Sequence, residues 1–272
     1  MNKNMFKFSL NKKGRAGNTV ELNKPIQTLP PLVKLSSILL GGGSLVYFII
    51  FLIFGTKVSF NLGLNHSKAL FLDGCLSLVF FCQHSIMVRP TFKNRVCFYI
   101  PEHWIPALFS IVSGLTLILV IFFWQNTGAA FIVLPTWLLW IMGCAFFLGL
   151  AGLKWGVYSL PAFDPMGIRN QTFKKNQEPV LKIKGPYKHM RHPFYFFTLV
   201  LIWSSTEFTI DRIMFNLLWS FWIVIGTWLE ERNLVKLFGN DYIIYQKQTP
   251  MLLPIKKTIL PFKKETHDGP FL

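Results

Sequence analysis

Of the chain's 272 residues, 52% are hydrophobic, 16% aromatic and only 15% charged. That balance excludes an ordinary soluble domain and indicates a polytopic membrane protein. A net charge of +16 would suggest nucleic acid on a soluble chain, but here it reads as Lys and Arg collected on one side of a bilayer. The expected partners therefore include membrane lipid and no nucleic acid. The expected fold class is all-α, a polytopic integral-membrane bundle of about six transmembrane segments.

Residues 1–30 are polar and basic, and no small-residue cleavage site follows the first apolar run. They read as a disordered cytoplasmic tail rather than a signal peptide. Apolar runs then predict helices at 35–54, 69–88, 104–124 and 129–153. Two shorter pieces follow, 193–205 and 213–229. The first is short for a hydrocarbon core of about 30 Å. Together they predict a helical hairpin turning at "SSTEFTIDR" (204–212).

Charge placement fits both termini on the cytoplasmic side of a bacterial inner (plasma) membrane. The inner segments then hold seven Lys and Arg up to Lys34, three over 89–103, eight from Lys154 to Arg191, and seven after Glu231. Only Lys57, Lys68 and Arg212 fall outside. Cys75, Cys82, Cys97 and Cys144 are scattered without metal or redox spacing and read as buried free thiols. The six histidines have no H-x-x-x-H or Cys/His spacing, so no metal site is expected.

The chemistry concentrates in "GPYKHMRHPFYFF" (185–197). Gly185-Pro186 signals a turn, and Pro193 suits the first turn of a helix with His192 near its N-cap. The unpaired N–H groups there, the helix dipole and the fork of Arg191 make an anion-binding corner. Tyr187 and Tyr195 add faces on which a base can stack. The bland alternative is a set of positive-inside anchors on anionic lipid.

A second anomaly is "TWLEERNLVKLFGNDYIIY" (227–245), which predicts Glu230 and Glu231 at the C-terminal end of an apolar helix. The helix dipole disfavours carboxylates there, and acids at membrane depth are functional candidates by default. One of them calls for a cation: Arg191, Arg232 or a cationic ligand. The alternative is a surface pair bridged to Arg232 or Lys236. The hairpin brings both anomalies to one side. A ligand with a carboxylate, an ammonium, a positive centre and a purine suits them, and S-adenosylmethionine has all four.

"GPYKHMRHPFY", a hairpin, and "EERNLVKLFGNDYIIYQKQTPMLLP" resemble the C-terminal cofactor region of the isoprenylcysteine carboxyl methyltransferase superfamily. The resemblance covers about seventy residues. It implies a membrane-embedded fold, S-adenosylmethionine as methyl donor, and a cofactor site at Tyr187, Arg191, His192, Pro193, Tyr195, Glu230 and Glu231. It also divides the chain into N-terminal transmembrane helices (31–180), a cofactor-binding hairpin and tail (181–256), and a flexible C-terminus (257–272). One departure is Phe197, where the family usually has glycine.

"FCQHSIMVRPTFK" (81–93) and "FDPMGIRNQ" (163–171) resemble the bacterial methanethiol S-methyltransferase and nurim-like branch. That branch implies a small thiol, methanethiol, as acceptor, whereas the wider superfamily allows an isoprenylcysteine or another lipophilic acceptor. The chain departs from the branch at "PEHWIPAL" (101–108). A nurim-like membrane protein without catalysis is a third reading.

Gln83 and His84 are expected at the cytoplasmic end of the second helix, followed by Arg89. Asp164 and Arg169 are expected on the same side, on a loop that either joins the site or docks on helix ends. A thiol attacks as its thiolate. His84 or His192 is therefore the expected proton acceptor, with Arg89 or Arg191 as electrostatic support and the two glutamates on the donor's ammonium.

Overall fold

The computed structural model describes residues 28–128, 132–160, 164–169 and 180–254. Residues 1–27 of the tail expected over 1–30, and the segment 257–272, lie outside them. Every described element is a helix apart from an isolated bridge between Ile132 and Phe208.

Helix α1 (Pro31–Ser36) runs through a π-helical segment, Ser37–Gly42, into α2 (Gly43–Phe54). α3 spans His66–Val88, and a short α4 (Pro90–Val96) follows. α5 covers Ile105–Phe123 and α6 Thr136–Ser159. The hairpin comprises α7 (Pro193–Trp203) and α8 (Ile210–Phe238), and α9 (Asn240–Gln248) closes the fold. Among the described residues, five continuous spans are long and apolar enough to cross a membrane: Pro31–Val58, His66–Val88, Glu102–Phe123, Thr136–Ser159 and Ile210–Phe238. The chain is a polytopic helical membrane bundle.

Several boundaries differ from the hydropathy reading, three of them with consequences for the bundle or the site. The fourth long helix starts at Thr136 rather than 129, because Pro135 holds an extended conformation and biases Leu134 away from helix. α8 continues to Phe238, past the expected end at 229, and stops at Gly239 with φ +57°. Glu230 and Glu231 therefore sit inside a helix, about two turns before its end. α7 has eleven residues and rises about 16 Å, half a hydrocarbon core. The rest of that arm is non-helical backbone around Ser204 and Ser205, both buried and bonded to the carbonyls of Val200 and Glu207. Non-helical backbone at such depth needs protein partners, and these serines have them.

The core is largely aromatic. Phe215 stacks on Trp219 (4.8 Å), Trp219 on Phe80 (5.0 Å), and Phe81 on Trp222 (4.7 Å). Phe51 and Trp124 meet edge-on. These rings join α2, α3, α5 and α8. Close backbone approach occurs at Gly41 and Gly114, where a Cβ on Gly114 would stand 2.3 Å from the Leu40 carbonyl oxygen. A Cβ on Gly152 of α6 would stand 2.2 Å from the ring of Phe197. Phe197 thus fills a notch on α6, and the bulk absent from the usual α7 pattern is accommodated by its neighbour.

The cysteines correct an expectation. Cys82, Cys97 and Cys144 are exposed and Cys75 is half-buried. In a membrane chain an apolar context is found outside the bundle as well as inside it.

Candidate active site

Two polar regions occupy opposite ends of α8. At its N-terminal end Arg212 is buried and donates to the carbonyls of Leu52 (2.9 Å) and Phe51 (3.4 Å), capping α2. Asp211 accepts from the Thr127 hydroxyl (2.7 Å) and N–H (3.1 Å), and Asp73 from the Gln125 N–H (2.9 Å). A cavity of about 280 Å³ at this end is lined by Phe51, Thr56, Asn126, Glu207, Asp211 and Arg212, among others. Arg212 and Glu230 are eighteen positions apart on α8, a rise of about 27 Å, so this cavity does not belong with the motif residues.

The motif residues meet at the other end. Gly185, with φ +56°, opens a tight turn over Gly185–Lys188, and a Cβ there would clash with the Ser159 hydroxyl at 2.0 Å. The turn brings the chain against α6 and delivers His192 to the N-cap of α7 with Pro193 at its first position, as expected. Residues 249–251 run alongside as a strap. The N–H groups of Arg191 and His192 donate to the carbonyls of Pro250 (2.9 Å) and Met251 (3.1 Å).

Glu231 is the centre of this corner and only 6% exposed. Arg191 grips it with two parallel bonds, Nε to Oε1 at 2.9 Å and Nη2 to Oε2 at 2.7 Å. Tyr242 donates to Oε1 (2.7 Å), Gln246 donates to Oε2 (2.6 Å), and His192 Nε2 lies 2.5 Å from Oε1. The remaining nitrogen of Arg191 donates to the carbonyls of Gln246 (3.0 Å) and Thr249. A buried charge pair is stable only when its spare lone pairs and protons are bonded, and here they are. Burial lifts the phenol of Tyr242 well above its ordinary range, and its bond to the Glu231 carboxylate adds to this, so it stays a donor.

Glu230 is different. Adjacent helical residues point about 100° apart, so one glutamate faces the corner and the other leaves it. The Glu230 side chain is 43% exposed. It accepts from Tyr195 (2.7 Å) and lies 3.7 Å from His192 Nδ1. Tyr195 stacks on the His192 ring at 5.6 Å. Tyr187 borders the same place: burial first, and then the charge of Glu230, push its phenol above the ordinary range. Among the described residues neither Arg232 nor Lys236 bonds the glutamates. Arg232 instead lies over the Trp228 ring at 3.6 Å.

The N-terminal candidates are not part of this corner. His84 is packed among Phe80, Phe109 and Trp222. Gln83 bonds Ser113 (3.2 Å) and Thr116 (2.9 Å) on α5. Arg89 is exposed where α3 turns into α4. Asp164 accepts the Arg169 N–H (2.7 Å), and Ser37 donates to the Met166 carbonyl (2.5 Å). A Cβ on Gly167 would strike the backbone of Pro106 and Ala107. This loop therefore docks on helix ends, the second of its two expected roles. Gln246 and the strap carry no sequence signal of their own. Tyr242 and Tyr245 stand in the motif, but their partners appear only in the fold: Tyr245 donates to the Tyr187 carbonyl (2.5 Å).

The chain is 32% identical over 208 residues to the methanethiol S-methyltransferase of Pseudomonas deceptionensis, covering 71% of this chain and 75% of that protein. The chain belongs to the methanethiol S-methyltransferase family. A second member, from Pseudomonas sp. strain GM41(2012), is 30% identical across 71% of this chain and 76% of its own length. A third, from Crocosphaera subtropica, is 29% identical across 68% and 75%. No family model and no solved structure matches the chain. Membership in the methanethiol S-methyltransferase family makes the chain a membrane methyltransferase, and the corner around Glu231 is the scaffold nearest its motif.

Proposed function

We propose that this protein transfers a methyl group from S-adenosylmethionine to a small thiol, methanethiol, giving dimethyl sulfide. The observation that carries the site assignment is the split between the two glutamates. Glu231 is saturated by donors of the protein, whereas Glu230, one residue away, keeps a half-exposed carboxylate beside two tyrosines and a helix start. A half-exposed carboxylate with room for a further donor, aromatic faces and the N-terminus of α7 match the ammonium, purine and carboxylate of the proposed donor.

When bound, S-adenosylmethionine supplies an activated methyl group on a sulfonium sulfur. Glu230 would hold its ammonium, and Tyr187 and Tyr195 would offer faces to its base. Pro193 fixes the start of α7. Arg191, His192 and Glu231 act as positioning residues that hold Glu230 and Tyr195 in place. The thiol's proton goes to His84 or His192, with Arg89 or Arg191 as electrostatic support. Charge distribution supports an arrangement with this end and both termini in the cytoplasm of a bacterial inner membrane.

The test is methyl transfer in membranes from labelled S-adenosylmethionine to methanethiol, read as volatile labelled dimethyl sulfide. Glu230→Gln is expected to lose donor binding, measured directly, without loss of thermal stability. Donor binding without product would move the acceptor to an isoprenylcysteine or another lipophilic molecule. Neither binding nor product would leave a nurim-like membrane protein without catalysis.

A further inference from the structure

Thiol methylation needs a place for the thiol and a base for its proton. His192 is committed to Glu231 through Nε2, and the strap bonds its backbone. Moving a proton there would disturb the scaffold itself. His84 is in the opposite situation.

The His84 ring is held by three others: Phe80 one turn earlier on α3 (5.5 Å), Phe109 on α5 (4.9 Å) and Trp222 on α8 (5.2 Å). Both flanking rings meet it nearly edge-on, at 61° and 82°. Trp222 is fixed in turn by Phe81 (4.7 Å) and by donation to Ser85 (3.4 Å). Inside this box Nδ1 of His84 is buried and has no hydrogen-bond partner. A buried polar atom without a partner is costly, and more so at membrane depth. The adjacent Gln83, by contrast, has partners in Met87, Ser113 and Thr116.

In the tautomer with hydrogen on Nε2, the missing partner is a donor small enough for an apolar, aromatic enclosure. A thiol S–H is a donor, and sulfur packs favourably at aromatic edges. Trp222 precedes Glu230 by eight residues on α8, so the box lies about 12 Å along the helix from Glu230.

We propose that Phe80, Phe109 and Trp222 form the acceptor pocket for a small alkyl thiol and that Nδ1 of His84 takes its proton. The assignment rests on the thiol-methylation reading. The S–H bond breaks and its proton goes to Nδ1 in the tautomer that carries hydrogen on Nε2. The thiol sulfur's pair forms the new S–CH₃ bond. The pair of the broken methyl–sulfonium bond stays on the donor sulfur, which leaves as a neutral thioether. The positive charge ends on the His84 ring.

Methanethiol is titrated into donor-free protein labelled with ¹⁵N at histidine. The Nδ1 resonance of His84, assigned by its loss in His84→Gln, is expected to shift. A resonance that stays still overturns the pocket. Turnover is then compared for wild type and His84→Asn with methanethiol and with the more acidic trifluoroethanethiol. Loss of about 10²-fold or more is expected with methanethiol, and a smaller loss with the acidic thiol. Equal losses overturn the base. Phe109→Ala is expected to shift preference from methanethiol toward propanethiol by about tenfold or more. An unchanged preference overturns the wall, and this variant does not depend on His84→Asn folding. Dimethyl sulfide formation with a silent His84 sinks the pocket alone. A shifted His84 with no wild-type product sinks the thiol-methylation reading instead.

Discussion

Replacing Glu231 by alanine leaves the Arg191 guanidinium without its bidentate partner in a site where its side chain is only 10% exposed. Tyr242, Gln246 and His192 lose their acceptor in the same step. Breaking a buried pair by removing one member costs about 3–5 kcal/mol. For a chain of this size that lowers an apparent melting temperature by about 6–20 °C. Glu230→Gln touches a half-exposed carboxylate and is expected to stay within about 1 kcal/mol of wild type. The assay is thermal unfolding in detergent, followed by tryptophan fluorescence, for wild type, Glu231→Ala, Glu230→Gln, Arg191→Ala and the double variant. Arg191→Ala and Glu231→Ala together are expected to lose less than the sum of the two single losses. A melting temperature for Glu231→Ala within about 2 °C of wild type, or strict additivity in the double variant, would refute the assignment of Glu231 as the anchor.

Tyr242→Phe removes one donor to the same carboxylate. It is expected to cost about 2 kcal/mol in unfolding, and an unchanged melt would show the bond idle. Gly152→Ala drives a methyl group into the Phe197 ring and is expected to cost about 1–3 kcal/mol, seen as lower melting. Adding Phe197→Ala should recover that loss, and a double variant no better than the single would remove the notch as its cause. Asp73→Asn keeps an acceptor for the Gln125 N–H while replacing a buried carboxyl whose second oxygen has no partner. Its melting temperature is expected to match or exceed wild type, and a marked fall would mean that the carboxyl itself holds this end together.

Much of the bundle is legible in the sequence because bilayer thickness and helix rise force long apolar runs to be spans. The errors have local causes. Apolarity over 129–135 outweighed the stop at Pro135, although the proline was the stronger signal. Charge at 230–232 was read as a helix end, although Gly239 ends it and the residues between are good helix formers. The motif around Arg191 and Glu230 was legible as a site, but the division between the glutamates was not. It depends on Arg191, which precedes α7, and on Tyr242 and Gln246, one turn apart on α9, and no spacing in the sequence ties these two segments to Glu231. The pairs Asp73–Gln125 and Asp211–Thr127 were equally out of reach, each linking residues far apart in sequence across a helix end. Exposure of Cys82 and Cys144 escaped the reading because hydrophobic residues face lipid and core alike.

The strap over residues 249–251 also sets a timetable. Arg191 leaves the ribosome 40 residues ahead of Glu231 and 58 ahead of Thr249. At about 5–20 residues per second, roughly 3–12 s pass before every acceptor of that guanidinium has been made. Until position 231 is reached that cation has no carboxylate partner, and its last acceptor comes only at position 249. The hairpin therefore completes its insertion late, and a nonsense mutation anywhere between 231 and 249 leaves a nearly full-length bundle holding a cation that never acquires its full set of acceptors.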